Sequence, residues 1–468
     1  MNTSIQCQSI DDLLGLNITF DIVKRTIKNK NDLTFTFYYD SFLSNSLKIS
    51  RLITSFIKIK DRINEKNLKE VVSNNLIAEN LEFTKNIDTA SKAVFNGDLL
   101  VICNESNLMF ITETKEYPSR SISEPDGEKV VRGSRDGFTE NFATNIGLIR
   151  RRIKTGNLGM KIYEIGTISK TRVALIYLKD IIKPDVLQEI MRKLEKIKVK
   201  ELTMSDKALE ELLVNHRYSP YPLVKYTERP DTLAIHLYQG MFGIIVDTSP
   251  SAILGPVSIF DHLQHAEEFR QTVVAGSYLR LIRIIGIIIA FFSIPLWYAL
   301  TDYNLPTVLK PFISNNHNHN ILFIQLITVL IGIELIRMAS IHTPSALSTS
   351  MGLVSGLIIG DVAIKVGLFT EQIVILAAIS AIGSYITPSY ELSLANKMAN
   401  IFLLISVYFF KMPGFICGVV LLVTYLACLK SFNRPYLYPL IPFNIKNLIK
   451  QLFRIPYKHK EKTKHNTK

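Results

Sequence analysis

An apolar block of sequence begins with LIRIIGIIIAFFSIPLWYAL (residues 281–300) and ends with FICGVVLLVTYLACL (residues 415–429). A helix needs about 20 consecutive, mostly apolar residues to cross the hydrocarbon core of a bilayer. Several segments of the block reach or approach that length, and few charges separate them. The sequence therefore predicts an integral membrane protein with an all-α, polytopic membrane bundle.

Six segments of this block are candidate spans, because each is long enough or nearly long enough to cross. They are residues 281–300, 321–339, 351–367, 372–388, 397–410 and 415–429. The third and fourth are rich in small residues, which let helix backbones approach closely, and the fifth is short and ends at Lys411-Met-Pro-Gly. One pair of segments could be re-entrant instead of spanning.

Lysine and arginine on both sides of the block predict its orientation. Basic residues before or at the start of the first span are Arg270, Arg280 and Arg283, and those after the last are Lys430, Arg434, Lys446, Lys450 and Arg454. Because cytoplasmic flanks carry an excess of these residues, both flanks are predicted to be cytoplasmic. The chain then crosses the cell membrane an even number of times.

Composition narrows the classes of function. The chain has 468 residues, a formal charge of +13 and 4 cysteines, with no CxxC spacing. An anionic inner leaflet explains the basic balance more simply than nucleic acid does. The cysteines support neither a metal site nor a disulfide framework, and no cofactor motif is present. The N-terminus lacks a basic region followed by an apolar core, so no signal peptide is predicted.

The sequence before the block predicts an α/β cytoplasmic region of two subdomains. In the first, TFTFYY and DLLVICNESNLMFITET read as strands, the second of them as a hairpin, and LKISRLITSFIKIKD reads as a helix. The predicted boundaries are 1–123 for the N-terminal subdomain, 124–278 for the second, 279–430 for the membrane domain and 431–468 for a basic cytoplasmic tail. Alternating elements of this kind imply layered α/β folds.

The second subdomain begins with a helix whose apolar residues recur from Phe138 to Ile153. At its end, Arg150 to Arg152 either bind phosphate or form a solvated helix terminus. Later, TLAIHLYQGMFGIIVDTSP is predicted to be a hairpin turning near Gln239-Gly240. Structural roles are favoured for its acid and base candidates Asp231, His236 and Asp247, because they match no nucleophile or metal spacing.

Charges inside the predicted spans are the main candidate functional residues. Glu334 and Arg337 lie three apart, and Asp361 and Lys365 lie four apart, so each pair can meet on one helix face. Such charges are costly in lipid and usually face a bundle interior or a water-filled path. The pairs therefore either neutralise each other to allow insertion or line an ion route between subunits.

A family resemblance rests on many separate motifs between residues 130 and 444. VRGSRDGFTENFATNIGLIRRRIK, YTERPD and DTSPSAIL resemble the A subunits of GerA-type spore germination receptors. DHLQHAEEFRQ, LIRMASIHTPSALSTSMGLVSGLIIGD, TPSYELSLANK and NRPYLYPLIPFN resemble the stage V sporulation protein AF group of that family. The chain departs from the receptor subunits at IHTPSALST and from the AF pattern mainly before Ser123.

The resemblance implies a two-part cytoplasmic region, a membrane bundle and residence in the inner membrane of the spore. It also implies ring oligomers that pass ions when germinant is sensed elsewhere, with other germination receptor or stage V sporulation membrane proteins as partners. Direct recognition of the germinant is placed in a partner.

Four residues are candidates for coupling the soluble region to the membrane bundle. Arg132 and Arg135 lie in the VRGSRDGF motif, and Glu391 and Lys397 lie in TPSYELSLANK. Because Pro388 is predicted to end the fourth span, the last two are expected in a short cytoplasmic turn. That turn is either a polar cap joining two spans or a contact for the soluble region.

Three functions remain open from the sequence. The preferred one is a non-enzymatic subunit of a germination ion channel, or an amplifier of the germination response. The alternative is an accessory or scaffold component of dipicolinate transport. A membrane-bound enzyme is the weakest, because the sequence contains no Walker loop, HExxH or nucleophile elbow.

Overall fold

The computed structural model describes residues 9–28, 33–58, 70–72, 80–104, 108–117, 128, 133–214, 216, 218–303, 318–342 and 352–455. The chain forms two compact units. The soluble unit comprises Met1–Arg217 and Val224–Pro256, and the membrane unit comprises Tyr218–Leu223 and Val257–Lys468.

The first sheet of the soluble unit has five antiparallel strands in the order β1-β2-β4-β5-β3. Its strands are β1 (Ile22–Lys28), β2 (Thr34–Asp40), β3 (Leu81–Thr84), β4 (Leu99–Cys103) and β5 (Leu108–Thr112), and its helices are α1 (Ser46–Lys58) and α2 (Ile87–Phe95). Pairing of Cys103 with Leu108 confirms the predicted hairpin, and α1 and β2 confirm the predicted helix and strand.

Apolar side chains cover both faces of this sheet. Helix α1 turns Ile49, Leu52, Ile53 and Phe56 inward, at the spacing of one helix face. Phe56 packs on Phe35, Phe37 and Phe110, with ring centroids 5.1–5.5 Å apart. The aromatic residues of β2 and β5 therefore share one packing partner on α1.

The second sheet also has five strands, in the order β6-β7-β9-β10-β8. They are β6 (Leu158–Ile165), β7 (Thr171–Leu178), β8 (Lys225–Thr227), β9 (Phe242–Val246) and β10 (Ala252–Gly255). The helices of this subdomain are α3 (Phe142–Arg152), α4 (Pro184–Lys196), α5 (Ser205–Leu213) and α6 (Pro230–Tyr238). Ile146 and Ile149 of α3 and Leu233 and Leu237 of α6 share one core with the sheet. The layered α/β fold is confirmed.

The predicted hairpin over TLAIHLYQGMFGIIVDTSP is wrong in its first half, because TLAIHLY belongs to helix α6. Pro230 fits the first turn of a helix, where its missing N–H costs nothing. Leu233, Ala234 and Leu237 then recur at helical spacing and are buried. Only FGIIV forms a strand, β9.

The arginine triplet at the end of α3 is only partly a solvated helix terminus, because Arg151 is exposed but Arg150 is fully buried. Its Nε and Nη2 donate to the two carboxylate oxygens of Asp21 at 2.5 and 2.9 Å, and Nη2 also donates to Thr19 at 2.9 Å. Asp40 lies 3.9 Å from Nε. The guanidinium therefore joins the first sheet of the soluble unit to the second subdomain.

The membrane unit is helical. Its long helices are α7 (Val273–Leu300), α8 (His319–His342), α9 (Glu371–Ile386) and α10 (Tyr390–Cys428), and a short helix, α11 (Ile445–Leu452), follows a two-stranded hairpin of β11 (Lys430–Ser431) and β12 (Arg434–Pro435). Short turns precede them at Ile259–His262 and Ala266–Phe269. By length and composition, α7, α8 and α10 could each cross a membrane, and α9 is a shorter apolar helix.

Helix α10 is broken at Lys411, whose backbone (φ 53°, ψ −139°) is not helical. A Cβ added to Gly418 would lie 2.8 Å from the side chain of Leu403, so the chain beyond the break folds back on the helix before it. The predicted end of the fifth segment at Lys411-Met-Pro-Gly is therefore confirmed. The two limbs, residues 390–410 and 412–428, are about 31 and 25 Å long at 1.5 Å per residue.

Between α8 and α9 lies the glycine segment, residues 352–367. It is helical over residues 352–357, continues as a π-helix over Ile358–Val362 and ends with the helical turn Ala363–Lys365. Residues 343–351, which precede it in the sequence, lie outside the described residues.

Candidate functional site

Glu334 and Arg337 meet on one face of α8, as their spacing predicts. The Nε and Nη2 of Arg337 donate to the same carboxylate oxygen, Oε1 of Glu334, at 3.1 and 2.6 Å. Arg337 is only 7% exposed. This ion pair therefore lies inside the bundle.

Lys397 of α10 joins this pair, which the sequence did not predict. Its Nζ donates to the second oxygen of Glu334, Oε2. The expectation that Lys397 and Glu391 occupy a turn is wrong, because α10 begins at Tyr390 and contains both. Ser389 caps the helix by accepting from the N–H of Leu392, so the turn ends before Glu391. We call Glu334, Arg337 and Lys397 the intramembrane cluster.

The guanidinium of Arg337 connects α8 to two further helices. Its Nη1 lies 3.3 Å from the hydroxyl of Ser393 in α10, and that hydroxyl lies 2.7 Å from the hydroxyl of Ser384 in α9. The guanidinium also lies 4.8 Å from the ring centroid of Tyr390. Two cations share one carboxylate, so the cluster has an excess of one positive charge.

A cavity of about 220 Å³ adjoins the intramembrane cluster, between α7, α8, α9 and α10. Its apolar wall includes Phe291, Leu335 and Met338, and its polar wall includes Ser384 and Asn400. Asn400 is 4% exposed and donates its Nδ2 to the carbonyl of Phe291 at 2.6 Å. Its Oδ1 has no hydrogen-bond partner among the residues described. The cluster therefore lies beside free space in the bundle.

Asp361 and Lys365 also meet, at 2.7 Å, as their spacing predicts. In contrast to Arg337, they are 56% and 71% exposed. Asp361 lies in the π-helix, and a Cβ added to Gly352, Gly356 or Gly360 would meet no atom within 4 Å. Within the part of the chain that the structure describes, this charge pair and the glycines beside it are therefore uncovered.

The remaining candidates have separate positions. Arg132 lies outside the described residues, and Arg135 is exposed. Glu391 accepts a hydrogen bond from the hydroxyl of Ser389 at 3.1 Å, in the first turn of α10. Asp231 pairs with Arg229, and Asp247 pairs with Arg172, each at 3.0 Å. These last contacts suit the structural roles favoured for both aspartates.

No candidate metal site is found in the part of the chain that the structure describes. There, no group of three or more His, Cys, Asp or Glu side chains is placed to hold a metal ion. Ion pairs instead compensate the charges of Glu334, Arg337 and Lys397, and those of Asp361 and Lys365.

Comparison with known families gives a match across the chain. The family described as "Bacillus/Clostridium GerA spore germination protein" matches residues 8–466. This match confirms the resemblance predicted from the motifs.

Individual relatives agree with that match. Stage V sporulation protein AF of Bacillus subtilis (strain 168) is 41% identical over 446 residues, which cover 94% of this chain and 90% of that protein. Spore germination protein XA of Bacillus anthracis is 34% identical, covering 83% and 81%. Spore germination protein A1 of Bacillus subtilis (strain 168) is 30% identical, covering 95% and 92%.

The similarity also extends to solved structures. The N-terminal domain of the A subunit of the Bacillus megaterium spore germinant receptor GerK3 is 27% identical, with a TM-score of 0.42. The match covers 53% of this chain and 92% of that domain.

Proposed function

This chain belongs to the GerA family of spore germination proteins, and from that premise we propose that it is a subunit of an oligomeric ion channel. The channel lies in the inner membrane of the spore and conducts, or amplifies the response, during germination. Its partners are other germination receptor or stage V sporulation membrane proteins. The relatives named above support this setting, since they carry spore germination and sporulation names.

The observation that carries the proposal is the exposed pair of Asp361 and Lys365. In a spanning segment, charged side chains that face lipid are costly, and they usually face a bundle interior or water. Within one subunit both side chains are more than half exposed. Facing other copies of the chain around a water-filled path removes that cost. The π-helix that carries Asp361 supports a functional role, because such bulges are frequent at functional sites.

The glycines of the same segment support the proposal that copies of the chain assemble through it. Gly352 and Gly356 are exposed, and nothing lies within 4 Å of a Cβ built on either. Small residues on a membrane helix let another helix approach closely. Neighbouring apolar side chains are also exposed, including Leu353, Leu357 and Val366. We therefore assign the glycine segment to the contact between subunits and the lining of the pore.

The intramembrane cluster has a coupling role in this proposal. Glu334 holds Arg337 on its own helix and Lys397 on α10, and Arg337 reaches Ser393 and through it α9. Any displacement of α10 relative to α8 must therefore break charged hydrogen bonds. Glu391, in the first turn of α10, and Arg132 and Arg135 of the soluble unit remain the candidates that pass the signal to it.

The orientation follows the basic flanks, with the soluble unit in the cytoplasm. A contact inside the membrane unit supports an even number of crossings. Arg280, near the start of α7, donates from Nη1 to the carbonyl of Gln451 at 2.9 Å, and Ser277 accepts from the N–H of Arg454 at 3.0 Å. The chain entering the first span and the chain following the last span therefore lie at the same end of the bundle.

Cross-linking tests the assembly. Gly356→Cys adds a side chain into open space, so a single subunit tolerates it. In the full-length protein in membranes, oxidation is expected to link copies through this cysteine. Val420→Cys is a matched control, because Val420 is an exposed residue of α10 outside the glycine segment. Both variants are built without Cys7 and without the exposed Cys417 and Cys428.

Ion flux from liposomes tests the activity of the purified protein. Flux from the native chain, together with cross-linking at Gly356→Cys and not at Val420→Cys, is expected. If the protein assembles but no flux is found alone or with its germination partners, the accessory role in dipicolinate transport takes its place.

A further inference from the structure

Helix α11 (Ile445–Leu452, IKNLIKQL) is amphipathic and has no buried residue. Ile445 and Ile449 lie four apart, on one face, and both are exposed. Phe443 and Phe453, just outside its ends, are exposed as well. A short helix of this kind gains little from its own hydrogen bonds in water, and an apolar face covered by a partner is the usual source of stability.

The polar side of α11 is basic. Lys446 and Lys450 also lie four apart, next to the apolar face, and Arg454 lies two residues beyond the end of the helix. Residues 440–455 contain no Asp or Glu. A surface that covers this helix therefore has to accept apolar side chains and cations side by side.

The position of α11 identifies that surface. Arg280 of α7 donates to the carbonyl of Gln451, and Gln264 donates to the side chain of Gln451. Helix α11 is thereby held against the first turns of α7, where the chain enters the bundle. On α7 itself, Val274, Tyr278 and Ile282 lie four apart and are exposed. Helix α11 is thus held against a helix that also exposes apolar side chains.

We propose that α11 is an interfacial helix that docks on anionic lipid headgroups at this end of the bundle. Ile445, Ile449 and Phe453 enter the boundary between headgroups and acyl chains, and Lys446 and Lys450 contact the phosphates. Amphipathic helices with apolar and basic faces bind in this way, through buried apolar area and attraction to anionic lipid. In the orientation proposed above, the leaflet is the cytoplasmic one.

A second copy of the chain is the competing occupant. A symmetric contact places the same patch of both copies face to face, so it brings Lys446 and Lys450 close to their own counterparts. No acidic residue within residues 440–455 offsets that repulsion. An anionic leaflet supplies both the opposite charge and the apolar layer, and for this reason we commit to it.

The first test measures depth in the full-length protein in nanodiscs. A fluorophore is attached at Ile449→Cys, in a background where Cys7, Cys417 and Cys428 are serine and the buried Cys103 remains. Ile168→Cys is the matched control, because Ile168 is an exposed isoleucine of the soluble unit. Brominated lipid is expected to quench the label at residue 449 and not that at 168, whereas aqueous iodide quenches only the label at 168.

The second test asks whether docking of α11 depends on attraction between its lysines and anionic lipid. Quenching at residue 449 by brominated lipid is expected to be stronger with phosphatidylglycerol than with phosphatidylcholine alone. Lys446→Gln with Lys450→Gln should abolish most of that difference. Equal quenching in both lipids, or free access of iodide to residue 449, overturns the proposal. A disulfide that forms between two copies through unlabelled Ile449→Cys assigns the surface to a second copy and overturns the proposal as well. None of these readouts depends on ion conduction.

Discussion

At the scale of single residues, three consecutive arginines have three different environments. Arg150 is buried on Asp21, whereas Arg151 lies 4.8 Å from the ring centroid of Tyr117, and Arg152 donates to Asp136. Burial alone would raise the pKa of Asp136, but the hydrogen bonds from Arg152 and Ser134 hold it below the usual value. Asp21 precedes Arg150 by 129 positions, so local sequence gave no sign of this contact.

Alanine substitutions of Arg150 and Arg151 should lower stability by different amounts, because the two side chains have different environments. Arg150→Ala leaves the buried carboxylates without their cation and is expected to destabilise the soluble unit by about 3–5 kcal/mol. Arg151→Ala removes an exposed contact with Tyr117, worth about 0.5–1 kcal/mol. Thermal unfolding of the full-length protein in detergent measures both. Equal effects of the two changes would contradict the assignment of Arg150 as the joint between subdomains.

Asp40 makes the stability of the soluble unit depend on pH. Burial, and then the charge of Asp21, raises its pKa from 3.8 to about 7. Between these values the folded protein keeps a proton that the unfolded chain has released, so stability falls as the pH rises through this window. The melting temperature is therefore expected to be lower at about pH 8 than at about pH 5.

Asp40→Asn is expected to remove most of this decline. Asparagine resembles the protonated acid and keeps the oxygen that accepts from the N–H groups of Phe42 and Leu43. Asp12→Asn, at an exposed position, is the matched control. A decline that persists unchanged in Asp40→Asn would assign the pH dependence to other groups.

At the scale of elements, the spacing of apolar residues along the sequence predicted several of the strands and helices. The alternation in TFTFYY and the stop at Lys411-Met-Pro-Gly both correspond to observed elements. The helical spacing predicted α3, but the helix begins at Phe142, so Phe138 lies before it. TLAIHLY was mistaken for a strand because a short apolar run suits both elements, and the proline before it decides for a helix. The contact of Lys397 with Glu334 joins two helices, so spacing within one helix could not reveal it.

Charge compensation in the intramembrane cluster predicts opposite results for two substitutions. Lys397→Met leaves Glu334 and Arg337 as a neutral pair, so the protein should reach the membrane at normal abundance. Glu334→Gln leaves two cations without their carboxylate and should lower both abundance and melting temperature. Immunoblots of membrane fractions and thermal unfolding measure this. Normal abundance of Glu334→Gln would show that the cluster is not a compensated buried network.

At the scale of the whole molecule, motifs identified the family and the two-part layout, because they are spread over most of the chain. The proposed contact between copies of the chain, by contrast, could not be predicted from motifs. The exposed glycines and the Asp361–Lys365 pair become informative only when the surroundings of each side chain within one subunit are known. Sequence placed these residues in one segment, and the fold adds that no part of the described subunit covers them.

Both termini are expected on the cytoplasmic side. Cysteines placed at Ser4 or Thr463, in a background without Cys7, Cys417 and Cys428, should resist a membrane-impermeant maleimide in intact cells and react after permeabilisation. The contact of Arg280 with Gln451 supports this, because it brings the first turns of α7 and the end of α11 to the same end of the bundle. Labelling of only one terminus from outside would refute an even number of crossings.

The central claim is that Asp361 faces an ion path, and the selectivity of single variants tests it most directly. A ring of carboxylates biases a pore toward cations, so Asp361→Asn should shift the reversal potential of purified, assembled protein in a potassium chloride gradient toward that of chloride. Glu211→Gln, which removes an exposed carboxylate of the soluble unit, should leave it unchanged. If Asp361 only neutralises Lys365, Asp361→Asn should lower abundance, and adding Lys365→Gln should restore it. Native conductance and native selectivity in well-assembled Asp361→Asn protein would contradict the account.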